Sequence, residues 1–289
     1  MAGQPRSLAG RVVVITGGAR GIGAATAVAL ARLGARVVVG DLDQVQAEKT
    51  AAELGGNALA LPLDVTDPKG FTAFLDEVEE RVGPIDVLIN NAGIMPLSPL
   101  DEEDDAATRR LLAINLHAVI HGTREAMVRM RPRGTGHIVN IASMAGKAGF
   151  PGAATYCATK HAVVGLSESV HLELRGTGVL VSCVMPAVVR TELASGLGEA
   201  RFIKSVQPED VAQAIVAALR RPKFDVFVPS SLDAMGRITR LLPRKAGEWL
   251  VRSLGGDRLL ASAVHSTARA DYEARAAHSA PAAEERDVS

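Results

Sequence analysis

The chain is short of the features that mark several functional classes. It has two cysteines in 289 residues, Cys157 and Cys183. Two thiols make no disulfide framework; one lies beside a tyrosine and the other in an apolar run, so both read as small buried thiols. Net charge is absent, with 32 lysines and arginines against 32 aspartates and glutamates. A dedicated nucleic-acid binder is normally basic, so that class is set aside. No apolar run reaches the roughly 18 residues that a membrane span requires. The first strongly apolar run, Val12 to Ile15, is short and passes straight into glycines, and no secretory leader is read there. A reducing, cytoplasmic location is the expectation. Metal-ligand patterning is missing too. His117 and His121 stand four residues apart on a helical stretch, but no third ligand accompanies them. They read as structural or subunit-contact residues, and no metal is expected.

What the chain does have is apolar material in an ordered pattern. Hydrophobic residues make up 47%, enough for one large α/β domain or two small ones. Arg11-Val-Val-Val-Ile-Thr16 is continuous and β-branched, as a strand buried on both faces is. It runs into Gly17-Gly-Ala-Arg20-Gly21-Ile22-Gly23, and alanine-rich helical periodicity follows from Ala24 to Leu33. Strand, glycine turn and helix form the first unit of a dinucleotide fold. Glycines let backbone N–H groups approach a pyrophosphate, and the helix N-terminus offers that anion its positive dipole. The spacing is Gly-xxx-Gly-x-Gly, and a glycine cluster taken alone also serves plain turn geometry.

The following strands strengthen the nucleotide reading. Arg36-Val-Val-Val-Gly-Asp41 ends in an acid about 20 residues after the turn, where a carboxylate accepts from adenosine ribose hydroxyls and repels a 2′-phosphate. That favours NAD over NADP. Arg20 points the other way, because a base in the turn can reach a 2′-phosphate, so NADP stays open. Residues 58–65 read as a third strand ending in Asp64, a carboxylate able to accept from an adenine amino group, with Val65 beside it. Residues 85–93 read as a fourth strand ending in Asn90-Asn91-Ala92-Gly93, which suits backbone that passes close to a ligand.

Tyr156 and Lys160 stand four apart in Tyr-Cys-Ala-Thr-Lys, and Ser143 precedes the tyrosine by thirteen residues. A helix puts positions i and i+4 on one face, so the ammonium of Lys160 lies near the phenol of Tyr156. A phenol ionises near pH 10 (roughly) and is a poor base at neutrality; a neighbouring cation lowers that value. Ser143 follows the apolar run Gly-His-Ile-Val-Asn-Ile-Ala, where a hydroxyl at a strand end can donate to a substrate oxygen. The three residues together read as a device for moving a proton on or off an alcohol or carbonyl oxygen.

With those residues in view, the chain resembles the short-chain dehydrogenase/reductases. The matching elements are Thr16 to Gly23, Asp64, Asn90 to Gly93, Asn115, Ser143 and Tyr156-xxx-Lys160, in family order over roughly residues 8 to 229. The resemblance implies that Tyr156 is the general acid/base. Lys160 would hold the nicotinamide ribose and lower the tyrosine pKa, Ser143 would polarise the substrate oxygen, and Asn115 would support a water of the proton relay. An asparagine amid the apolar helix residues Leu-Ala-Ile-Asn-Leu is unfavourable without a hydrogen-bonding purpose. Cofactor contacts would come from Gly17, Arg20, Gly21, Ile22, Gly23, Asp41, Asp64, Val65, Asn91, Ala92, Gly93, Tyr156 and Lys160. Pro186, Val189 and Thr191 would add contacts to the nicotinamide carboxamide. Ala187 stands where the family pattern has glycine, and a positive φ there would resist alanine. The family also implies a small-molecule alcohol or ketone substrate and a homotetramer or dimer.

The fold expectation is a Rossmann-type doubly wound parallel α/β sheet of about seven strands, with helices on both faces and a C-terminal helical extension. Residues 1–229 are read as the catalytic domain, 230–265 as helices over the substrate cleft or a partner subunit, and 266–289 as a flexible tail, being alanine-rich and charged. Residues 192–206 read as a mobile substrate loop. Its Leu193, Leu197, Phe202 and Ile203 suggest a lipophilic or cyclic substrate. Two alternatives remain open. One is a scaffold that senses the nucleotide without catalysis. The other is a peripheral membrane enzyme docked through basic amphipathic helices around Trp249.

Overall fold

A computed structural model describes residues 4–56, 58–197, 205–233, 245, 263–264 and 266–280. Seven parallel strands form one sheet in the order β3-β2-β1-β4-β5-β6-β7. They are β1 (Val12–Thr16), β2 (Arg36–Asp41), β3 (Ala58–Pro62), β4 (Val87–Asn90), β5 (Gly136–Ile141), β6 (Val179–Pro186) and β7 (Asp225–Val228). The chain therefore has the doubly wound α/β architecture that its alternating pattern implies.

The strands are two-faced, and their side chains divide accordingly. Val13 and Ile15 of β1 pack with Ala27 and Leu30 of α1 (Gly21–Ala31) and with Val211, Ile215 and Leu219 of α7 (Pro208–Arg220). Val12 and Val14 point the other way. They pack with Phe71, Leu75 and Val78 of α3 (Pro68–Arg81), Met130 of α5 (Ala118–Met130) and Val170 of α6 (Ala154–Glu173). Burial on both faces explains why β1 reads as an unbroken apolar run rather than an alternating one.

Helix starts follow local chemistry. Asp43 accepts from the Gln46 N–H to cap α2 (Gln44–Leu54), and Asp67 accepts from Lys69 at the start of α3. Asp104 accepts from Ala107 at the start of α4 (Asp105–Leu112), so the acidic run 101–105 supplies a cap and a first-turn acid. Helix α7 opens with Pro208 at its first position and a reciprocal Gln207–Asp210 capping box. Helix α1 begins at Gly21, inside the glycine turn rather than after it at Ala24.

Chain order reverses across the sheet between β1 and β4, because β2 and β3 lie on one side and β5 to β7 on the other. Connections leaving the two central strands diverge there, and the crevice they leave is where open α/β sheets take ligands. The glycine turn after β1 and Asn91-Ala92-Gly93 after β4 both stand at this point.

Part of the segment read from sequence as a flexible tail, residues 266–280, carries regular structure. Residues 267–269 form a short 3-10 turn leading into α8 (Ala270–Ala277), with Arg269, Tyr272, Ala276 and Ala280 all buried. Alanines make this helix narrow enough to lie against the apolar end of the cleft, so the low content of large side chains does not leave it loose. Residues 281–289 lie outside the described residues, as do most of 230–265, including the stretch around Trp249 on which membrane docking was read. Among the described residues no helix is long and apolar enough to cross a membrane. His121 bonds Thr72 at 3.2 Å and lies 5.5 Å from the Phe71 ring, while His117 is exposed.

One buried histidine gives the fold a pH signature. His137 on β5 is 4% exposed and its Nε2 lies 2.9 Å from Ser182 Oγ. Ser182 gives its own proton to the Lys223 carbonyl, so the imidazole Nε2 carries the hydrogen of the first bond. Burial, with a smaller contribution from Arg6, pushes the His137 pKa down to about 4. The unfolded chain takes up this proton near pH 6.5 (roughly) and the folded chain resists until about 4. The associated stability is therefore complete above the unfolded value and is lost as pH falls through the folded one. In His137→Gln the stability loss between pH 6.5 and 4 should be shallower by about 3 kcal/mol, measured by urea unfolding. An unchanged acid limb would show that other groups control it.

Candidate active site

The cleft is built from the ends of β1, β4, β5 and β6. Gly17 has φ +62°, and a Cβ there would lie 2.8 Å from Ala92 Cα. Gly23 is still more confined, since a Cβ would fall 2.3 Å from the Gly17 carbonyl oxygen and 2.8 Å from Asn91 Nδ2. The first turn of α1 thus presses against the loop after β4, and glycine is required for backbone contact. Thr16 Oγ1 accepts from the N–H groups of Asn91 at 3.0 Å and Ala92 at 3.1 Å. Asn91 Nδ2 donates to the carbonyls of Thr16 at 2.9 Å and Gly17 at 2.8 Å. The two loops are cross-bonded into one rigid edge. Gly21 has φ +55° and faces Thr191 across the cleft, where an added Cβ would lie 3.1 Å from Thr191 Cγ2. Ile22 turns inward onto the core beside α7.

Asp41 ends β2 and accepts from the N–H groups of Ala19 at 2.9 Å and Asp43 at 3.0 Å. Burial raises its pKa, and these two bonds oppose that rise. Arg20 pairs with Asp43 at 2.7 Å, and that bond is the main reason the Asp43 carboxyl is held below its usual range. Asp64 accepts from the Thr66 N–H and hydroxyl at 2.8 and 2.7 Å, with Val65 half-buried beside it. On the far side, Pro186 ends β6 and Val189 bridges to Val206. Among the described residues only glycines have positive φ. Ala187 therefore needs no left-handed backbone, and its N–H donates to Val228 O at 2.8 Å. The missing glycine costs the loop nothing here.

At the other end of the cleft, α6 presents Tyr156 and Lys160 one turn apart, 8% and 4% exposed. Lys160 Nζ stands 5.7 Å from the centroid of the Tyr156 ring and donates to the Ile141 carbonyl at 3.0 Å. Ser143, just past β5, caps the turn 144–146 by accepting from Ala145 at 3.1 Å, and its hydroxyl stands close enough to the Tyr156 phenol to draw its pKa down. Asn115 lies in a π turn (Ala113–His117) between α4 and α5. The extra residue in that turn swings its amide inward. The amide grips both backbone groups of Ile94, with Oδ1 accepting from its N–H at 2.9 Å and Nδ2 donating to its carbonyl at 2.8 Å. Gly93 is the meeting point: a Cβ there would lie 3.3 Å from Asn115 Oδ1 and 3.6 Å from Lys160 Nζ.

The structure thus brings Asn115, Ser143, Tyr156 and Lys160 to one end of a cleft whose other end holds the glycine turn, Asp41 and Asp64. It does not lower the pKa of the phenol. Burial pushes Tyr156 up to about 12, with the Ser143 hydroxyl opposing, and pushes Lys160 down to about 8. In this state burial outweighs any lowering of the phenol's pKa, because the site is dry enough to disfavour both charged forms. The ammonium also spends a hydrogen bond on Ile141 rather than on the phenol.

Sequence reasoning missed two residues at this end. Tyr272 packs in the same apolar cluster as Tyr156, Ile94, Met95 and Leu97, and Arg269 is buried beside it. Their signal was the helical spacing of Arg269, Tyr272, Glu273 and Ala276 within a segment whose composition suggested disorder.

Similarity to known proteins agrees with this geometry. The family model described as short chain dehydrogenase matches residues 11–201. The chain belongs to the short-chain dehydrogenases. It is 36% identical over 213 residues to a 3-alpha-(or 20-beta)-hydroxysteroid dehydrogenase of Mycobacterium tuberculosis, covering 72% of this chain and 82% of that one. It is 40% identical over 196 residues to the sorbitol dehydrogenase of Cereibacter sphaeroides, covering 68% and 76%. It also matches the probable oxidoreductase EphD of Mycobacterium tuberculosis at 35% identity over 266 residues, which is 84% of this chain and 45% of that protein; the chain thus spans less than half the length of that relative. Among solved structures, a short-chain dehydrogenase/reductase from Burkholderia phymatum in complex with NAD superposes with a TM-score of 0.75 at 28% identity, covering 81% of this chain and 94% of that one.

Proposed function

We propose that the protein is an NAD-dependent dehydrogenase or reductase that interconverts a secondary alcohol and a ketone of apolar, cyclic character, with Tyr156 as general acid/base. The observation that carries this reading is the convergence of Lys160 and Asn115 on Gly93, with the Tyr156 ring beside the Lys160 ammonium. The cleft fits a dinucleotide. Its glycine cradle has no room for a Cβ at Gly17 or Gly23, and an acid stands at the end of β2. In this reading the backbone of residues 17–23 and the start of α1 hold the pyrophosphate. Asp41 accepts from the adenosine ribose, Asp64 and Val65 flank the adenine, and Asn91, Ala92 and Gly93 line the middle of the cleft. Lys160 with Tyr156 holds the nicotinamide ribose, and Pro186, Val189 and Thr191 meet the carboxamide.

The cofactor supplies the hydride carrier, and this chain's residues position the substrate and move its proton. Tyr156 takes the hydroxyl proton of an alcohol as the C–H bond breaks, or gives its own proton to a carbonyl oxygen in the reverse direction. Ser143 donates to the same oxygen and orients it. Lys160 stabilises the phenolate as it forms, and Asn115 fixes the Ile94 backbone that walls the site.

NAD is favoured because a 2′-phosphate near Asp41 would meet a carboxylate, while Arg20 is already paired with Asp43. An apolar substrate is favoured by the wall around Tyr156, made of Ile94, Met95, Leu97, Leu193, Leu197 and Tyr272. That wall offers no row of polar partners for a polyol. The comparison names one relative acting on hydroxysteroids and one on sorbitol, and the wall sides with the first.

The test is a panel of cyclic ketones, secondary alcohols and polyols, followed by absorbance of reduced cofactor with NADH and NADPH or their oxidised forms. Cyclic apolar substrates with the unphosphorylated cofactor should lead by at least about tenfold in kcat/KM, a difference of about 1.4 kcal/mol. Asp41→Ala should narrow the cofactor preference. Preference for polyols, or for the phosphorylated cofactor in the wild type, would overturn the respective part.

A further inference from the structure

Arg269 is the largest fully buried side chain among the described residues, at 2% exposed. A buried guanidinium is costly unless its N–H groups are matched and its charge is met. Here its two terminal nitrogens reach two loops far apart in sequence. They donate to the carbonyls of Leu193 and Ser195 at 3.0 Å each and of Met95 at 2.7 Å. Its Nε bonds Glu273 at 2.9 Å, and its carbon lies 4.9 Å from the Tyr272 ring centroid. Met95 is held at both backbone groups by this segment, because its N–H donates to Tyr272 Oη at 2.6 Å.

Met95 follows Ile94, whose two backbone groups are both held by Asn115. The dipeptide after Gly93 is therefore gripped from one side by Asn115 and from the other by Arg269 and Tyr272. The same guanidinium ties it to the loop after β6, which the sequence reads as the substrate loop. That loop approaches closely enough that a Cβ at Gly196 would lie 2.7 Å from Ser266 Oγ and 3.2 Å from Arg269 Cγ. On the outside, Arg275 and Glu192 pair at 2.7 Å and repeat the tie. Tyr272, Ala276 and Ala280 sit in one cluster with Tyr156.

We propose that Arg269 is a positioning residue that fixes the substrate side of the cleft by joining the loops after β4 and β6, and that Tyr272 is a specificity-determining residue on the wall beside Tyr156. The proposal rests on Tyr156 being the acid/base. The join acts through backbone carbonyls, so it sets loop position whatever side chains the loops carry. Its geometry requires the planar, multi-donor head of arginine; lysine supplies the charge without the fork.

The test uses the full chain with Arg269→Met, Arg269→Lys and Tyr272→Phe. Measured are kcat and KM for the best ketone of the panel, Kd for NADH by fluorescence, and hydrogen exchange of the Met95 amide. Arg269→Met is expected to raise KM about 30-fold, equivalent to about 2 kcal/mol, with the NADH Kd within about twofold of wild type. Arg269→Lys should fall between. Tyr272→Phe keeps the ring and removes the acceptor, so the Met95 amide should exchange at least about tenfold faster and the ranking of ketones by size should change. KM within twofold of wild type in Arg269→Met, or a rise in KM matched by the NADH Kd, would overturn the positioning role. Should Arg269→Met not fold, Arg269→Lys is judged by the same two criteria. An unchanged substrate ranking in Tyr272→Phe would overturn its specificity role. If the wild type turns over no alcohol or ketone, the acid/base reading has failed instead; the join is then judged by Met95 exchange alone, and unchanged exchange in both Arg269→Lys and Tyr272→Phe overturns it.

Discussion

Tyr156→Phe is expected to lower kcat by about a thousandfold, within the range that a positioned acid or base contributes, while the Kd for NADH stays within about twofold of wild type. The substitution removes one oxygen from a side chain that is otherwise packed, so the ring still fills its place among Ile94, Met95 and Cys157. What is lost is the phenol oxygen beside the Ser143 hydroxyl. The pH dependence carries a sign. Burial holds the phenol near 12, so at neutrality it is protonated, the form that donates to a ketone. Alcohol oxidation needs the other form and should speed up as pH rises from 7 to 9, while ketone reduction should not. Steady-state rates in both directions, with NADH titration of the same preparation, check this. Turnover of a confirmed substrate at full rate by the phenylalanine variant would remove Tyr156 from the chemistry.

Much of this architecture could be read from residues alone, for a physical reason. Strands buried on both faces leave unbroken β-branched runs, such as Val12 to Ile15, and glycines appear where a Cβ would strike backbone, as at Gly23. Both are properties of local sequence. The failures were of another kind. Whether Tyr156 has a raised or lowered pKa depends on how dry its surroundings are, and dryness is contributed by Ile94 and by Tyr272 and Ala276, from two segments far apart in sequence. The segment 266–289 reads as flexible because charge and a lack of large apolar side chains normally leave too little to bury, yet its described part packs. Arg269 is buried only because carbonyls of Met95, Leu193 and Ser195 happen to converge on it, a fact invisible in the composition of its own stretch. Ala187 shows the reverse error: the departure from glycine suggested strain, and the backbone there is unstrained. Local chemistry was legible, and long-range desolvation was not.

That same desolvation makes Lys160 the second residue whose replacement should have a large effect, and in two directions at once. Lys160→Met is expected to lower kcat by about a hundredfold or more, since the variant has no cation to favour the phenolate. It should also make the protein more stable at pH 7. Burial depresses the Lys160 pKa from 10.5 to about 8, so the folded protein at neutrality keeps a charged amine at a cost of about 3 kcal/mol. Methionine avoids that cost and leaves the Ile141 carbonyl without its donor, a loss of about 1–2 kcal/mol. The net expected gain is about 1–2 kcal/mol, or a Tm rise of about 2–4 °C. Linkage fixes how this gain varies with pH. The unfolded chain holds the lysine proton up to about 10.5 and the folded chain releases it near 8, so wild-type stability climbs between those values. The advantage of methionine is therefore full below pH 8, vanishes at roughly pH 9, and is fully reversed beyond 10.5, where only the lost carbonyl bond remains. Thermal melts of both proteins at pH 7 and pH 10 measure the difference. A variant less stable at both pH values would mean that the buried amine is held at no net cost, and that the cleft is wetter around Lys160 than its packing indicates.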